Sequence, residues 1–263
     1  NAHKKYCLPF SEANLTDANK EYLQKYLDVT KSQMFFAKGI IFVEGISEAI
    51  LLPEIAKILD RPLEKYAVEL VNVDSVAFSP FVNLFSSQNV QTCFSKVAIV
   101  TDDDRCTKKS ETNYINKDFD YDDVNSDISG KLLSGTPSER CNELETSCRA
   151  VGINVFKATK TLEYALCCDE NNIEYFIEAI KSEYSQLGPA LEQKVNSLHD
   201  MNEKAACVWL FIRAREKCKG AIAQYISQII KKQCEMRKRG ENIEKEFVIP
   251  DYLKEAVYCV TER

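Results

Sequence analysis

An open α/β fold, with a parallel sheet flanked by helices on both faces and a helical subdomain behind it, is what the sequence predicts. Three observations carry this. Four short apolar runs, KGIIFVEG, YAVELVNV, KVAIVTD and INVFKAT, have the length and β-branched content of buried strands; segments with apolar residues at helical spacing alternate with them; and from Asn171 onward only helical spacing remains. Strands that alternate with helices must pair in parallel through right-handed crossovers, which leaves helices on both faces of the sheet.

Taken in order, residues 1–38 are polar with scattered apolar positions, helical around DANKEYLQKYLDV, and read as a connector arriving from elsewhere. KGIIFVEG is the first strand, and SEAILLPEIAKIL the first crossover helix, in which Pro53 should produce a kink. YAVELVNV, FSPFVNLFSSQ and KVAIVTD follow as strand, helix and strand. The next stretch, near residues 105–138, is rich in Asp, Asn, Ser and Lys and too long for a plain connection; it reads as an insertion passing over the active edge, partly mobile. ERCNELETSCRAVG and INVFKAT close the α/β part, which spans residues 39–170. In residues 171–263 the helical segments NIEYFIEAIKSEY, PALEQKVNSLH, NEKAACVWLFIRAREKC, GAIAQYISQIIKKQCEMRKR and PDYLKEAVYCVTE should cover one face or edge of the sheet. The charged run KKQCEMRKRGENIEKE within them reads as a solvated face.

Composition narrows the function. With 263 residues, 45% hydrophobic and 28% charged, the chain has the material for a globular core. Its 34 basic and 40 acidic residues create no overall field that would hold a phosphate backbone, so nucleic acid would have to be gripped locally, by metal ions or a basic strip. The 11 cysteines are odd in number and irregularly spaced, as expected of reduced thiols in a cytoplasmic protein, and two histidines are too few and scattered for a zinc site. No apolar run approaches the ~18 residues of a membrane span, so no membrane partner is expected.

The chemistry gathers at two strand ends. In an open parallel sheet, ligands bind outside the carboxyl ends of the strands. Glu44 and Glu48 follow the first strand, and TDDDR places Asp102 and Asp104 after the third. Carboxylates crowded together repel and take up protons unless divalent cations sit among them, and hard oxygen donors favour Mg²⁺ or Mn²⁺. Each motif alone has a plain explanation: DDD as a solvated turn or helix cap, Glu44 as an edge charge, Glu48 as a first-turn acid favoured by the helix dipole. Their order is more telling, because an apolar strand ending in EG followed about sixty residues later by one ending in DxD is not what solvated turns produce. Asp103, between the two DxD acids, should point away from them if the segment stays extended.

That ordered pair resembles the Toprim domain, a Rossmann-like fold in which a glutamate closes the first strand and a DxD the third. The likeness is closest to the nuclease half of the OLD (overcoming lysogenization defect) family, ATP-dependent endonucleases that join an ATPase to a Toprim nuclease. YLDVTKSQMFFAKGIIFVEGISEAILLPEIAKIL, TLEYAL, CKGAIAQYISQII and IPDYLKEAV resemble successive blocks of that family in the same order. The resemblance implies a DNA endonuclease of the cytoplasm, linked to antiphage defence, with Glu44, Glu48 and Asp102 on one ion, Asp104 and Glu163 on a second, and Asp102 between them. It implies that Lys219 meets the phosphate and stabilises transition-state charge. Without the resemblance, Glu163 could be a plain first-turn acid behind the capping Thr161, and Lys219 one more solvated cation in RAREKCKG; Arg105 and Lys108 could meet DNA or offset the acids. No GxxxxGK[ST] phosphate loop occurs, so no ATP site is expected within this chain; an ATPase would lie upstream or on a partner chain, and a homo-oligomer fits the same picture. The competing readings are a topoisomerase or primase, a metal-dependent nucleotide-sugar transferase, and a catalytically silent Toprim assembly module.

Overall fold

A computed structural model describes residues 15–27, 31–85 and 96–262. Helix α1 (Asp17–Tyr26) starts at Thr16, whose hydroxyl accepts from the Asn19 N–H. It is followed by β1 (Gly39–Val43), α2 (Ile46–Ile58), β2 (Val68–Asn72), α3 (Ser79–Phe85) and β3 (Lys96–Asp102). The proposed ends of the first and third helices, at residues 28–29 and 86–88, lie outside the described residues, as does the start of the connector. Pro53 lies inside α2, which runs as one helix from Ile46 to Ile58.

The sheet has four parallel strands in the order β2-β1-β3-β4, where β4 is Asn154–Ala158. Alternation along the strands divides the interior into two cores. Ile41, Val43, Ala98 and Val100 face the larger one, while Ile40, Phe42, Val97 and Ile99 face a smaller one with Leu23, Met34, Phe78, Phe81 and Cys148. Because β1 and β3 are buried on both faces, their sequences are continuously apolar rather than alternating.

The insertion after β3 is not a bare polar loop. It contains α4 (Ser126–Ser134), capped by Asn125, and buries Ile115, Tyr121, Val124, Ile128 and Leu132 in the larger core. Arg213 donates to the main-chain carbonyls of Asn116 and Phe119, and Arg215 pairs with Asp120 at 2.8 Å, which ties the segment to the helices behind the sheet. Helix α5 (Glu139–Arg149) leads to β4. After it come α6 (Leu162–Cys167), α7 (Glu170–Glu183), α8 (Leu187–Ser197), α9 (Met201–Ala214), α10 (Lys219–Lys238) and α11 (Asp251–Thr261).

Helix α10 packs along α2, and α11 lies on β1, β3 and β4. These C-terminal helices share the larger core with the sheet, so they are part of one packed unit. A Cβ on Gly39 would come within 2.9 Å of the Val260 carbonyl oxygen, so only glycine at the start of β1 lets the end of α11 approach this closely. Lys231, Lys232, Lys238 and Arg239 are exposed, as expected of a solvated face.

Candidate metal centre

The carboxyl ends of β1 and β3 lie side by side, since Val43 is in register with Val100, and this places Glu44 next to Thr101 and Asp102. The fully buried Thr101 donates from Oγ1 to Glu44 Oε2 at 2.6 Å, and the Asp102 N–H points at the same oxygen at 3.4 Å. Glu44 is therefore held over the end of its neighbour strand. Gly45 caps α2, and a Cβ there would stand 3.4 Å from Glu48 Oε2. The EG pair thus leads directly into the helix that carries the second acid, which lies in the first turn of α2 and is 6% exposed.

Helix α6 provides the next group. Thr161 caps it by accepting from the Tyr164 N–H, and Glu163 sits in its first turn, 5% exposed. The Leu162 N–H donates to Asp102 Oδ1 at 2.9 Å, joining the start of α6 to the end of β3. Ser47 donates to Glu163 Oε1 at 3.4 Å, and Lys219 Nζ, on the first residue of α10, is 3.6 Å from the same oxygen.

Electrostatics confirms the crowding. Burial, and then the charges of Glu163 and Glu44, raise the Glu48 carboxyl from the usual 4.5 to about 7, against the opposing pull of its own main-chain N–H and of Lys219. Burial, then Glu48, Glu163 and Glu44, hold Asp102 well above the ordinary aspartate range. Burial pulls Lys219 down, but Glu163, Asp102 and Glu48 outweigh it, so the ammonium is held more firmly charged than a free lysine.

Asp104 takes a different path. It has left the extended strand (φ 51°), and its Oδ2 accepts from Arg140 on α5 at 2.7 Å. The same guanidinium donates to the Asp102 carbonyl oxygen at 3.1 Å and lies 3.8 Å from Glu44 Oε2. Asp103 does point away, as the alternation of an extended chain requires. It is 2% exposed and accepts from the Arg105 side chain at 2.6 and 2.8 Å and from the Lys160 N–H at 2.9 Å. Arg105 is thereby committed to the fold, and Lys108 pairs with Glu139.

Glu44, Glu48, Asp102, Glu163 and Lys219 thus meet at one edge, and Glu163 stands with Glu48 and Asp102, while Asp104 is turned onto Arg140. Sequence reasoning missed Thr101, Ser47, Arg140 and Tyr252, the last a tyrosine of α11 whose buried hydroxyl has no partner. Among the described residues no three acidic, histidine or cysteine side chains already converge on one point. Chemically the set still fits a hard divalent cation: every donor is a carboxylate oxygen, and Lys219 lowers the Asp102 and Glu48 carboxyls by less than burial and their acidic neighbours raise them.

Comparison with known proteins agrees with this architecture. Residues 35–104 match the family described as overcoming lysogenization defect protein-like, Toprim domain, and that segment holds Glu44, Glu48, Asp102 and Asp104. Over 146 residues, 54% of this chain, the sequence is 30% identical to Endonuclease GajA of Bacillus cereus (strain HuB5-5), and it spans 19% of that protein's length. The C-terminal region of the Xanthomonas campestris pv. campestris OLD protein has the same fold, with a TM-score of 0.52 and 20% identity over 88% of this chain and 95% of that one. The corresponding region of the Burkholderia pseudomallei OLD protein gives a TM-score of 0.50 and 19% identity over 87% of this chain and 98% of that one. No helix among the described residues is long and apolar enough to cross a membrane.

Proposed function

We propose that this chain, whose residues 35–104 match an OLD-like Toprim domain, is a nuclease of the OLD family that hydrolyses phosphodiester bonds of DNA with Mg²⁺ or Mn²⁺. The observation that carries the reading is the gathering of Glu44, Glu48, Asp102 and Glu163 beside Lys219, with the Glu48 carboxyl lifted to about 7. A carboxyl so poised exchanges its proton readily for a cation near neutral pH. Bound there, a divalent ion would supply a nucleophile from water and neutralise charge on the phosphate oxygens.

The chain's own residues do the rest. Thr101 and the Asp102 main chain hold Glu44 in place; the start of α6 holds Asp102; and Glu163 positions Lys219, whose ammonium is the group to meet a non-bridging phosphate oxygen and stabilise the added transition-state charge. Glu44, Glu48, Asp102 and Glu163 would hold the first ion. A second would need Asp104, which must exchange Arg140 for it.

The division into a connector (1–38), a Toprim core (39–170) and a helical part carrying the lysine (171–263) belongs to the same reading. So do an ATPase upstream or on a partner chain, assembly as a homo-oligomer, a cytoplasmic location and a role in antiphage defence. The likeness to Endonuclease GajA supports a nucleic acid as the substrate, and DNA is the proposal. A second reading, a silent Toprim assembly module, draws on the present engagement of Glu44, Asp102 and Asp104 with protein donors. Plasmid nicking in Mg²⁺ and in Mn²⁺ separates the two. Cleavage by the wild type that is lost in Asp102→Ala supports the nuclease, whereas no cleavage by either protein favours the module.

A further inference from the structure

The hydroxyl of Tyr252 is buried and makes no hydrogen bond among the described residues, which is uncommon enough in a folded interior to need a reason. Its position supplies one. Val260, near the end of α11, lies against Gly39 at the start of β1, so the helix runs antiparallel to the strands. The eight residues from Val260 back to Tyr252 rise about 12 Å along a helix, comparable with the length of a five-residue strand. The first turn of α11 therefore reaches the carboxyl edge of the sheet. The acids whose charges bear most on the Tyr252 hydroxyl are Asp102, then Glu48 and Glu163, all on that edge. The phenol thus lies within electrostatic reach of the carboxylates yet is bonded to none of them.

We propose that Tyr252 is a positioning residue of this centre, whose hydroxyl donates to an oxygen of the ion's coordination shell, either a carboxylate turned toward the ion or a water bound to it. The inference rests on the ion-binding reading above. Burial suits a donor and not a nucleophile, because a hydroxyl without solvent access is shut off from a phosphodiester in solution. This role also explains the incomplete hydrogen bonding: carboxylates engaged by Thr101, Leu162, Ser47 and Lys219 turn only when a cation gathers them, and the tyrosine gains its acceptor at that moment.

The test uses the full chain and Tyr252→Phe, which keeps the ring and removes only the unbonded hydroxyl. Melting in chelator should be unchanged or slightly raised, since no hydrogen bond is lost. Mn²⁺ affinity by calorimetry should fall about tenfold, the lower end of the effect of a group that orients metal ligands. Titrating Mg²⁺ into the wild type should give an ultraviolet difference band from tyrosine that is absent in the variant, a signal that a purely structural ring would not produce. Equal Mn²⁺ affinity in the two proteins, or the same difference band in both, overturns the tyrosine inference and leaves the metal centre standing. Failure of the wild type to bind Mn²⁺ at all overturns both.

Discussion

Replacing Glu48 by glutamine tests the metal centre through stability alone. The folded protein raises the Glu48 carboxyl from 4.5 to about 7, so between those values the folded chain holds a proton that the unfolded chain releases. Stability contributed by that proton is present below about pH 4.5, is lost as pH rises, and is gone above about pH 7. At 1.36 kcal/mol per unit, the ionised carboxylate costs the metal-free fold ~3 kcal/mol. Glutamine has the shape of the protonated acid and nothing to ionise. It also lowers the repulsion on Asp102, which acts in the same direction. It gives up part of the bond from the main-chain N–H to the carboxylate, which returns ~1 kcal/mol. In chelator at about pH 8, Glu48→Gln should therefore be more stable than wild type by ~2 kcal/mol, or about 4–8 °C in Tm for a chain of this size. Near pH 4 the two should melt together. Adding Mg²⁺ at the higher pH should raise the wild type more than the variant and close the gap. A pH-independent difference, or a variant less stable at every pH in chelator, would refute the argument that Glu48 is a buried anion awaiting a cation.

The other expected outcomes separate residues that look alike in sequence. Asp103→Ala strands a largely buried guanidinium and should cost ~3–5 kcal/mol, read as a shift of the urea midpoint, whereas Asp104→Ala, at a third-exposed carboxylate, should cost ~1 kcal/mol or less. Lys219→Ala removes the cation nearest Glu163, so calorimetry should show Mg²⁺ bound a few-fold more tightly while nicking falls ~100-fold; parallel losses of both would make the lysine structural. Arg140→Ala frees Asp104 and should strengthen the binding of a second ion, seen as a rise in Mn²⁺ stoichiometry or affinity, with no change if Asp104 plays no part in the centre.

The parts of this design that were legible in the sequence are those that burial writes into a continuous pattern. β1 and β3 are enclosed by two cores, so every residue of GIIFV and most of KVAIVTD must be apolar, and the acids that end them stand out by contrast. The insertion was harder to read because its burial is intermittent. Ser126–Ser134 contains Gly130 and three serines, weak helix formers, and is fixed by the Asn125 cap and by Ile128 and Leu132 in the larger core. Arg140 left no trace, since one arginine among the charges of α5 has no pattern to break, and only the fold brings it to Asp104. Within DDD the sequence distinguishes the middle residue only if the backbone stays extended, and the chain leaves that conformation immediately after it, at Asp104.

A common device assembles the centre. Glu48 lies in the first turn of α2, Glu163 in the first turn of α6, Lys219 begins α10 and Tyr252 is in the first turn of α11. Four helix N-termini therefore supply side chains to the two strand ends that carry Glu44 and Asp102. Each N-terminus favours a nearby anion by about 0.3–1 kcal/mol, up to ~2 kcal/mol when partly buried. That is the right sign for Glu48 and Glu163, yet Glu48 still rises to about 7, a shift worth ~3 kcal/mol in the opposite direction. Burial and mutual repulsion outweigh the helix dipoles and Lys219 together. Without an ion, glutamine in place of Glu48 would make the more stable edge above neutral pH, and that deficit is what the proposed cation would offset.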